Sequence, residues 1–413
     1  MAVILPFRAI RPCNKYVSQV ASLPYDVMSK EEARKKVTGN PFSFLHVEKS
    51  EIDVPDIIKE GDPVIYETAK QNFYKMRKEG IFQQDEEPLF YIYSQKSPTH
   101  VQTGIVALVS ADEYESGKIK KHEYTRKNKE EDRIRHIDYV NAQTGPVFIT
   151  YHFKKSINEI VQNVTTSRPV YDFIADDGVA HTVWAVDDAE QIKKIEQEFL
   201  SIDDLYIADG HHRAAAAAEV ARIRRIKDGN SMAEIREYNM IMSVLFPHDQ
   251  LNVMDYNRVV RDLKGLTKDK FLEKVKNKFI ISENYTEKKP QRIHDFGMYL
   301  AGKWYKLTAK EDIFDKNNPV ESLDASILQS NILGSVLGII DPRTDERIKF
   351  IGGIRGMAEL EKLVDRNYAV AFSLYPVSVE QIMRVADAGE MMPPKSTWFE
   401  PKLRSGLFIH ELD

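Results

Sequence analysis

The stretch YIADGHHRAAAAAE, residues 206–219, constrains the fold more than any other part of the chain. An apolar run ends in Asp-Gly, and five alanines follow His211, His212 and Arg213. This reads as a strand, a tight turn and a helix. Asp209 is the expected N-cap and Gly210 permits the turn. Residues 214–218 combine the best helix propensity with almost no bulk, so the helix can lie close to a sheet or a ligand. Its first turn holds three potential cations. Helix starts carry unpaired N–H groups and partial positive charge, so each cation there is unfavourable by about 0.3–1 kcal/mol. A bound anion resolves the conflict. Backbone N–H groups, two imidazoles and a guanidinium suit a phosphate. Asp209 adds a carboxylate able to hold Mg2+ or take a proton from a hydroxyl. The plainer alternative is an ordinary capped helix with surface histidines. A zinc site is disfavoured: adjacent histidines face different sides of a helix, and HEYTR at 122–126 ends in Arg126 where a zinc motif needs histidine.

A chain of 413 residues exceeds what one core usually serves, so two or three subdomains are expected. Apolar residues at 42% and charged residues at 29% describe an ordinary soluble mixture. A net charge of −5 argues against bulk binding of nucleic acid. The single cysteine, Cys13, excludes an internal disulfide and a cysteine-rich zinc site, and fits a reducing cytoplasm. No apolar run approaches the ~20 residues that span a bilayer. MAVILPFRAIRP at 1–12 lacks a basic start and is broken by Pro6 and Arg8, so it reads as a first strand and not as a secretory signal.

Strand-like and helix-like runs alternate along the chain. Residues 43–47, 89–94, 103–110, 147–151, 170–175, 181–186, 238–246, 298–307 and 368–375 are rich in β-branched and aromatic residues. Helical periodicity covers 63–79, 128–142, 189–200, 211–228, 268–279 and 378–388. The pattern predicts a mixed α/β or α+β protein. The charged stretch 266–290 opens an inserted subdomain in this reading. The expected division is therefore an α/β region at 1–265 with the phosphate-binding core, an insertion at 266–345, and a C-terminal region at 346–413 that returns to the core.

A second polar constellation spans 120–146. Ile134, Ile137 and Val140 make an apolar stripe at helical spacing, and Asp132 and His136 share another face. Just upstream lie His122, Glu123 and Thr125, on a loop. A carboxylate such as Glu123 beside a phosphate-binding turn would make a serviceable acceptor site. On spacing alone this is a solvated charged helix after a basic loop. The tail MMPPKSTWFEPKLRSG at 391–406 supplies Lys395, Ser396, Thr397 and Lys402. It has the outline of a P-loop but is not one, because the glycine before the lysine is missing and Pro393 and Pro394 have no N–H to offer. Its lysines and hydroxyls could close over an anion, or its aromatics could simply pack. His181 reads as a structural histidine, 322–339 as a buried helix or a partner-facing surface, and GGIRG at 352–356 lacks dinucleotide-binding spacing.

IADGHHRAAAA is similar to the phosphate-binding motif of the ParB/sulfiredoxin-like fold, and the run Asp-Gly-His-His-Arg resembles free-serine kinases of that fold. ILPFRAIRP, VASLPYDV, NPFSFLHV, RHIDYVNAQTGPVFITY and MPPKSTWFEPK resemble the bacterial and archaeal family catalogued as domain of unknown function 1015. The resemblance implies an α+β protein with a mixed-sheet, ParB/sulfiredoxin-like nucleotide-binding core and additional α/β subdomains. Carried over by position, it implies that Gly210, His211, His212 and Arg213 cradle nucleotide phosphate. Asp209 would activate the acceptor hydroxyl or hold Mg2+, with His212 at the reacting group. Those kinases also use a glutamate outside the motif, for which Glu123 is the candidate here. The resemblance raises His122 and Arg133 to substrate residues, and the tail offers Lys395, Ser396 and Thr397 to the nucleotide.

The expected activity is transfer of phosphate from ATP or ADP, with Mg2+, to a small hydroxyl substrate, free L-serine first. A nucleotide-binding, DNA-associated regulator and a phosphatase or nucleotide hydrolase are the alternatives. The regulator has little in its favour, since no helix-turn-helix is evident. The expected partners are the nucleotide and a small molecule in the cytoplasm, with no membrane, little claim on nucleic acid, and a homodimer as the oligomer to test.

Overall fold

A computed structural model describes residues 1–229 and 236–413. These residues form two compact units. The first comprises residues 1–121, 125–251 and 401–413, and the second residues 122–124 and 252–400. Residues 266–345 and 346–400 thus both fall in the second unit.

The first unit is built on a nine-stranded sheet. Its strands are β1 (Ile4–Leu5), β2 (Phe90–Lys96), β3 (Val101–Ser110), β4 (Ile119–Lys120), β5 (Val147–Tyr151), β6 (Tyr171–Ile174), β7 (Ala180–Val186), β8 (Leu205–Asp209) and β9 (Met240–Pro247). The order is β4-β8-β5-β9-β3-β2-β7-β6, with β1 pairing on β3. The sheet is mixed: β8 runs parallel to β4 and β9 parallel to β5, while the other pairs are antiparallel. Helices α1 (Pro63–Lys78), α2 (Lys127–Val140) and α3 (His211–Lys227) belong to this unit. The alanine run of α3 does what its small side chains allow. Residues 214–218 are buried and share one apolar core with Ile137 of α2, Val147 and Ile149 of β5, and Ile207 of β8. All of β9 is buried, which fits its near-continuous apolar sequence and central place in the sheet.

Two expectations change here. Residues 43–47 do not form a strand: Leu45–Glu48 is one turn of helix. Phe44, Leu45 and Val47 are fully or almost fully buried, and Phe44 sits edge-on to Phe73 and Phe82. Tertiary packing overrides the β preference of these residue types. The opening stretch is not one strand either. It splits into β1 and Ile10–Pro12, and the latter pairs with Phe82–Gln84 outside the large sheet.

The end of the chain is the part least visible beforehand. Residues 401–410 are all buried inside the first unit. Ser405 and Ser22 exchange backbone hydrogen bonds of 2.9 and 3.1 Å, as do Ile409 and Ile10 at 2.9 and 3.0 Å. Beyond them His410–Glu411 pairs with Ala142–Gln143.

The second unit has a six-stranded antiparallel sheet. Its order is Phe279–Glu283, Lys303–Ala309, Asp295–Leu300, Val370–Leu374, Tyr256–Val260, Ile348–Gly352. The run 298–307, read as one strand, is a hairpin turning at Ala301 and Gly302, both at positive φ. Alternation places Val370, Phe372 and Leu374 in one core and Ala371 in another. Residues 324–334 form a largely buried helix whose last part, Gln329–Gly334, is a π-helix and exposes Ser330. No helix among the described residues is long and apolar enough to cross a membrane.

Candidate functional site

The β8–α3 junction turns on Gly210. Its φ of +89° is left-handed, and Gly210, not Asp209, is the N-cap of α3. Asp209 is instead the last residue of β8. A register shift against β5 between Ile207 and Asp209 re-aims the end of the strand. A Cβ at Gly210 would lie 3.3 Å from the guanidinium carbon of Arg213, so the turn is closed by its own arginine.

Two cations share one oxygen of Asp209. Lys402 Nζ lies 3.2 Å from Oδ2 and an Arg213 nitrogen 4.0 Å from it. Arg213 also donates to the carbonyl oxygen of Pro146. Both cationic side chains are 9% exposed, whereas Asp209 keeps 31% of its side chain exposed. Burial pushes the Asp209 carboxyl up, but the Lys402 and Arg213 cations outweigh it and hold the group down at about 2. It is therefore an anion at neutral pH. Burial has the opposite consequence for the His211 imidazole, which is pushed down to about 4 and stays neutral. His212 Nε2 accepts from the backbone N–H of Arg126 at 2.9 Å, which places the proton of its neutral form on Nδ1. The cation–dipole conflict at the helix start is thus eased: one imidazole is buried and neutral, and Arg213 folds back onto the strand carboxylate.

Lys402 is the residue that sequence spacing could least place. It is 193 positions from Asp209. Its only advance signal was a lysine in a Pro- and aromatic-rich tail. Its backbone is held by two glutamines that are completely buried on neighbouring strands. Gln95 Nε2 of β2 donates to the Lys402 carbonyl at 2.9 Å, and Gln102 Nε2 of β3 to that of Pro401 at 3.4 Å. The same Gln102 nitrogen donates to Gln95 Oε1 at 2.9 Å.

Arg133 of α2 occupies an adjoining ion cluster. It donates to Asp132 at 2.7 and 3.0 Å, lies 3.9 Å from Glu48, and stacks its guanidinium 4.0 Å from the centre of the Tyr25 ring. Glu48 in turn accepts from Thr144 Oγ1 at 2.5 Å. A void of about 20 Å³, lined by Arg133, Arg213, Glu48, Thr144 and Gly145, separates the two clusters and suffices for one water.

The first unit therefore brings together Asp209, Gly210, His211, His212 and Arg213, adds Lys402, and sets Arg133 next to them. His122 and Glu123 belong to the second unit, as do Lys395, Ser396 and Thr397. His122 is buried there and its carbonyl accepts from Met392 N at 2.8 Å, while Glu123 is half-buried. Lys395 has a left-handed φ of 57° and its Nζ lies 6.0 Å from the Tyr256 ring centre. Ser396 Oγ donates to the Pro393 carbonyl at 2.6 Å, and Thr397 is half-buried. Among the described residues no group of three His, Cys, Asp or Glu side chains could hold a metal ion. Asp209 offers a single carboxylate already engaged by Lys402, so the protein side chains alone do not make a Mg2+ cage.

The chain belongs to the family described as protein of unknown function (DUF1015), whose model matches residues 4–326. Among solved structures, a free serine kinase in complex with AMP is 16% identical at a TM-score of 0.36, over 71% of this chain and 86% of that one. A conserved hypothetical protein from Pyrococcus furiosus is 15% identical at 0.35, over 73% and 93%. SbnI with a C-terminal truncation, from Staphylococcus aureus, is 11% identical at 0.38, over 73% and 85%. No curated protein matches the chain. At these TM-scores the likenesses carry no argument about chemistry.

Proposed function

We propose that the first unit catalyses nucleotide-dependent phosphoryl transfer to a small hydroxyl substrate, with free L-serine as the leading acceptor. One observation carries the reading. A left-handed glycine sets an ionised carboxylate directly before a helix start flanked by Arg213 and Lys402. Phosphoryl transfer is chiefly a matter of positioning and charge compensation, and this turn supplies both. The N–H groups of the first turn of α3 and the Arg213 guanidinium face the phosphate oxygens. Asp209 accepts a hydrogen bond from the acceptor hydroxyl and aligns its oxygen. The hydroxyl oxygen bonds to phosphorus as the phosphoanhydride P–O bond breaks; the nucleotide leaves with that bond's electron pair, and the hydroxyl proton passes to the carboxylate or to water. Mg2+ enters in this reading with the nucleotide phosphates, which would supply most of its ligands. The choice of serine rests on the resemblance of Asp-Gly-His-His-Arg to free-serine kinases.

The test is ³¹P NMR on the full chain with Mg2+ and either ATP or ADP, each with and without L-serine. A phosphoserine resonance that requires both nucleotide and serine is expected. Inorganic phosphate alone would make the same site a hydrolase, with water as the acceptor. No turnover with either nucleotide would remove the serine-kinase reading.

A further inference from the structure

The turn at Gly210 leaves unexplained why a lysine from the far end of the chain reaches Asp209, and why two strands bury glutamines to hold its backbone. Amides in a strand interior are costly to bury unless each finds a partner. Gln95 and Gln102 are fully buried; three of their four amide heavy atoms are used, in a bond between them and in bonds to the two carbonyls, of Pro401 and Lys402, that flank the Lys402 α-carbon, and among the described residues only Gln102 Oε1 is left over. Simple packing would be served better by apolar residues. The amide pair fixes the point from which the lysine side chain starts, and so fixes where its ammonium can reach.

We propose that Lys402 is the phosphate-binding lysine of this site, that it meets the terminal phosphate of a nucleoside di- or triphosphate, and that Gln95 and Gln102 are its positioning residues. The inference rests on the phosphotransferase reading for the purpose of the phosphate, but its evidence is separate. Lys402 and Arg213 both approach the same oxygen of Asp209, at 3.2 and 4.0 Å, in a setting where each is 9% exposed. Around that carboxylate stand Lys402, Arg213 and the first turn of α3. A phosphate at the helix start suits the same two cations. The ammonium is a compact donor on a flexible stem and can turn from the carboxylate to a phosphate oxygen without moving its backbone. That movement also frees Asp209 to take the acceptor hydroxyl.

The experiment measures affinity for inorganic pyrophosphate, ADP and adenosine by calorimetry at fixed salt, on the full chain and on Lys402→Met, Lys402→Arg and Gln95→Leu, with the Tm of each. Lys402→Met is expected to weaken pyrophosphate and ADP by about 10–100-fold, the range for one charge-assisted hydrogen bond, and to leave adenosine unchanged. Lys402→Arg should recover part of the loss, and Gln95→Leu should give a smaller loss with the same selectivity for phosphate. A folded Lys402→Met protein with wild-type affinity for pyrophosphate overturns the assignment and leaves Lys402 as a structural ion pair. A second readout covers the case in which that variant does not fold. In wild-type protein carrying ¹³Cε-lysine, the Lys402 resonance, assigned by its absence from Lys402→Arg, should shift on saturation with pyrophosphate, and an unmoved resonance overturns the assignment equally. Binding through Lys402 without transfer to serine would keep this inference and remove the kinase. Transfer to serine with wild-type ADP affinity in Lys402→Met would do the reverse.

Discussion

Arg133 and Asp209 centre two ion clusters that share a wall in the first unit, and they are finished differently. Arg133 is surrounded: two hydrogen bonds to Asp132, a carboxylate at 3.9 Å and a ring face at 4.0 Å. Its partners are tied in turn, Asp132 by the Tyr66 hydroxyl at 2.8 Å and Glu48 by Thr144. Asp209 holds its cations loosely, with a contact at 3.2 Å and another at 4.0 Å, and stays 31% exposed. A buried cation enclosed by two carboxylates and a ring face is already compensated, and removing one member is costly because the others are stranded. A half-open carboxylate at a helix start retains capacity. The same residue types therefore make a brace in one place and a candidate site in the other.

Removing the central charge of each cluster should separate these roles most strongly. Asp209→Asn should lower phosphoryl transfer by about 10²–10⁴-fold, the usual weight of a positioned acid–base group. It should leave ADP affinity intact or higher, because a carboxylate that competes for Lys402 is gone. Turnover and calorimetric affinity measured on the same protein check this, and retained turnover removes Asp209 from the chemistry. Arg133→Met should do the opposite. It should cost about 3–5 kcal/mol of stability by stranding Glu48 and Asp132, while the folded fraction binds pyrophosphate as wild type does. Urea unfolding against binding decides it. A stable Arg133→Met protein with lost serine saturation would make Arg133 a substrate residue, as the family resemblance implies.

The two clusters were not equally legible in the sequence. The Asp209 turn was readable because its parts are consecutive: strand, Asp-Gly, cations and alanines each leave a local signature, and only the N-cap moved by one residue to Gly210. The mixed α+β class was readable for the same reason, since period-2 and period-3.6 runs are local. What brings Lys402 to Asp209 is not local. Its mount lies on β2 and β3, in glutamines that in a sequence look like any polar strand residue. Residues 43–47 show the same limit, because Phe44 and Val47 take their conformation from Phe73 and Phe82 and not from their own propensity. Glu48, which closes the Arg133 cluster, ends the one-turn helix that replaces the expected strand, and nothing local pairs it with Arg133.

Acid should probe the closed part of the first unit. The His181 imidazole is pushed down to about 3 by burial and by the Arg404 guanidinium. Its Nε2 faces Arg404 Nε at 3.2 Å, so the neutral form carries its proton on Nδ1, toward the Tyr93 hydroxyl at 2.7 Å. His136 is likewise lowered, by burial and by Arg133. For both groups the unfolded chain binds the proton first. Their contribution to stability is complete above the unfolded value near 6.5 and is lost as pH falls toward the folded values. For His181 the loss should reach roughly 3 kcal/mol by pH 4. Urea midpoints at pH 7, 5.5 and 4 should fall in that order. The loss over the same interval should shrink in His181→Gln, and an unchanged slope would mean that His181 is not held neutral.

The smallest expected effect is the most specific to the turn. Gly210 and Gly178 are both left-handed, at φ +89° and +81°. An alanine at either should cost about 1–2 kcal/mol from backbone strain alone. Their surroundings differ. A Cβ at Gly178 meets nothing within 4 Å, whereas one at Gly210 lies 3.3 Å from both the guanidinium carbon and Nε of Arg213. Arg213 must give way by a few tenths of an ångström, and it is held by Asp209 and by the Pro146 carbonyl. The two variants should therefore lose similar stability, while only Gly210→Ala should weaken pyrophosphate binding, by a few-fold. Equal binding in the two would show that the close approach of Arg213 to the turn has no part in holding an anion, and the site would then depend on Lys402 and the helix N–H groups without it.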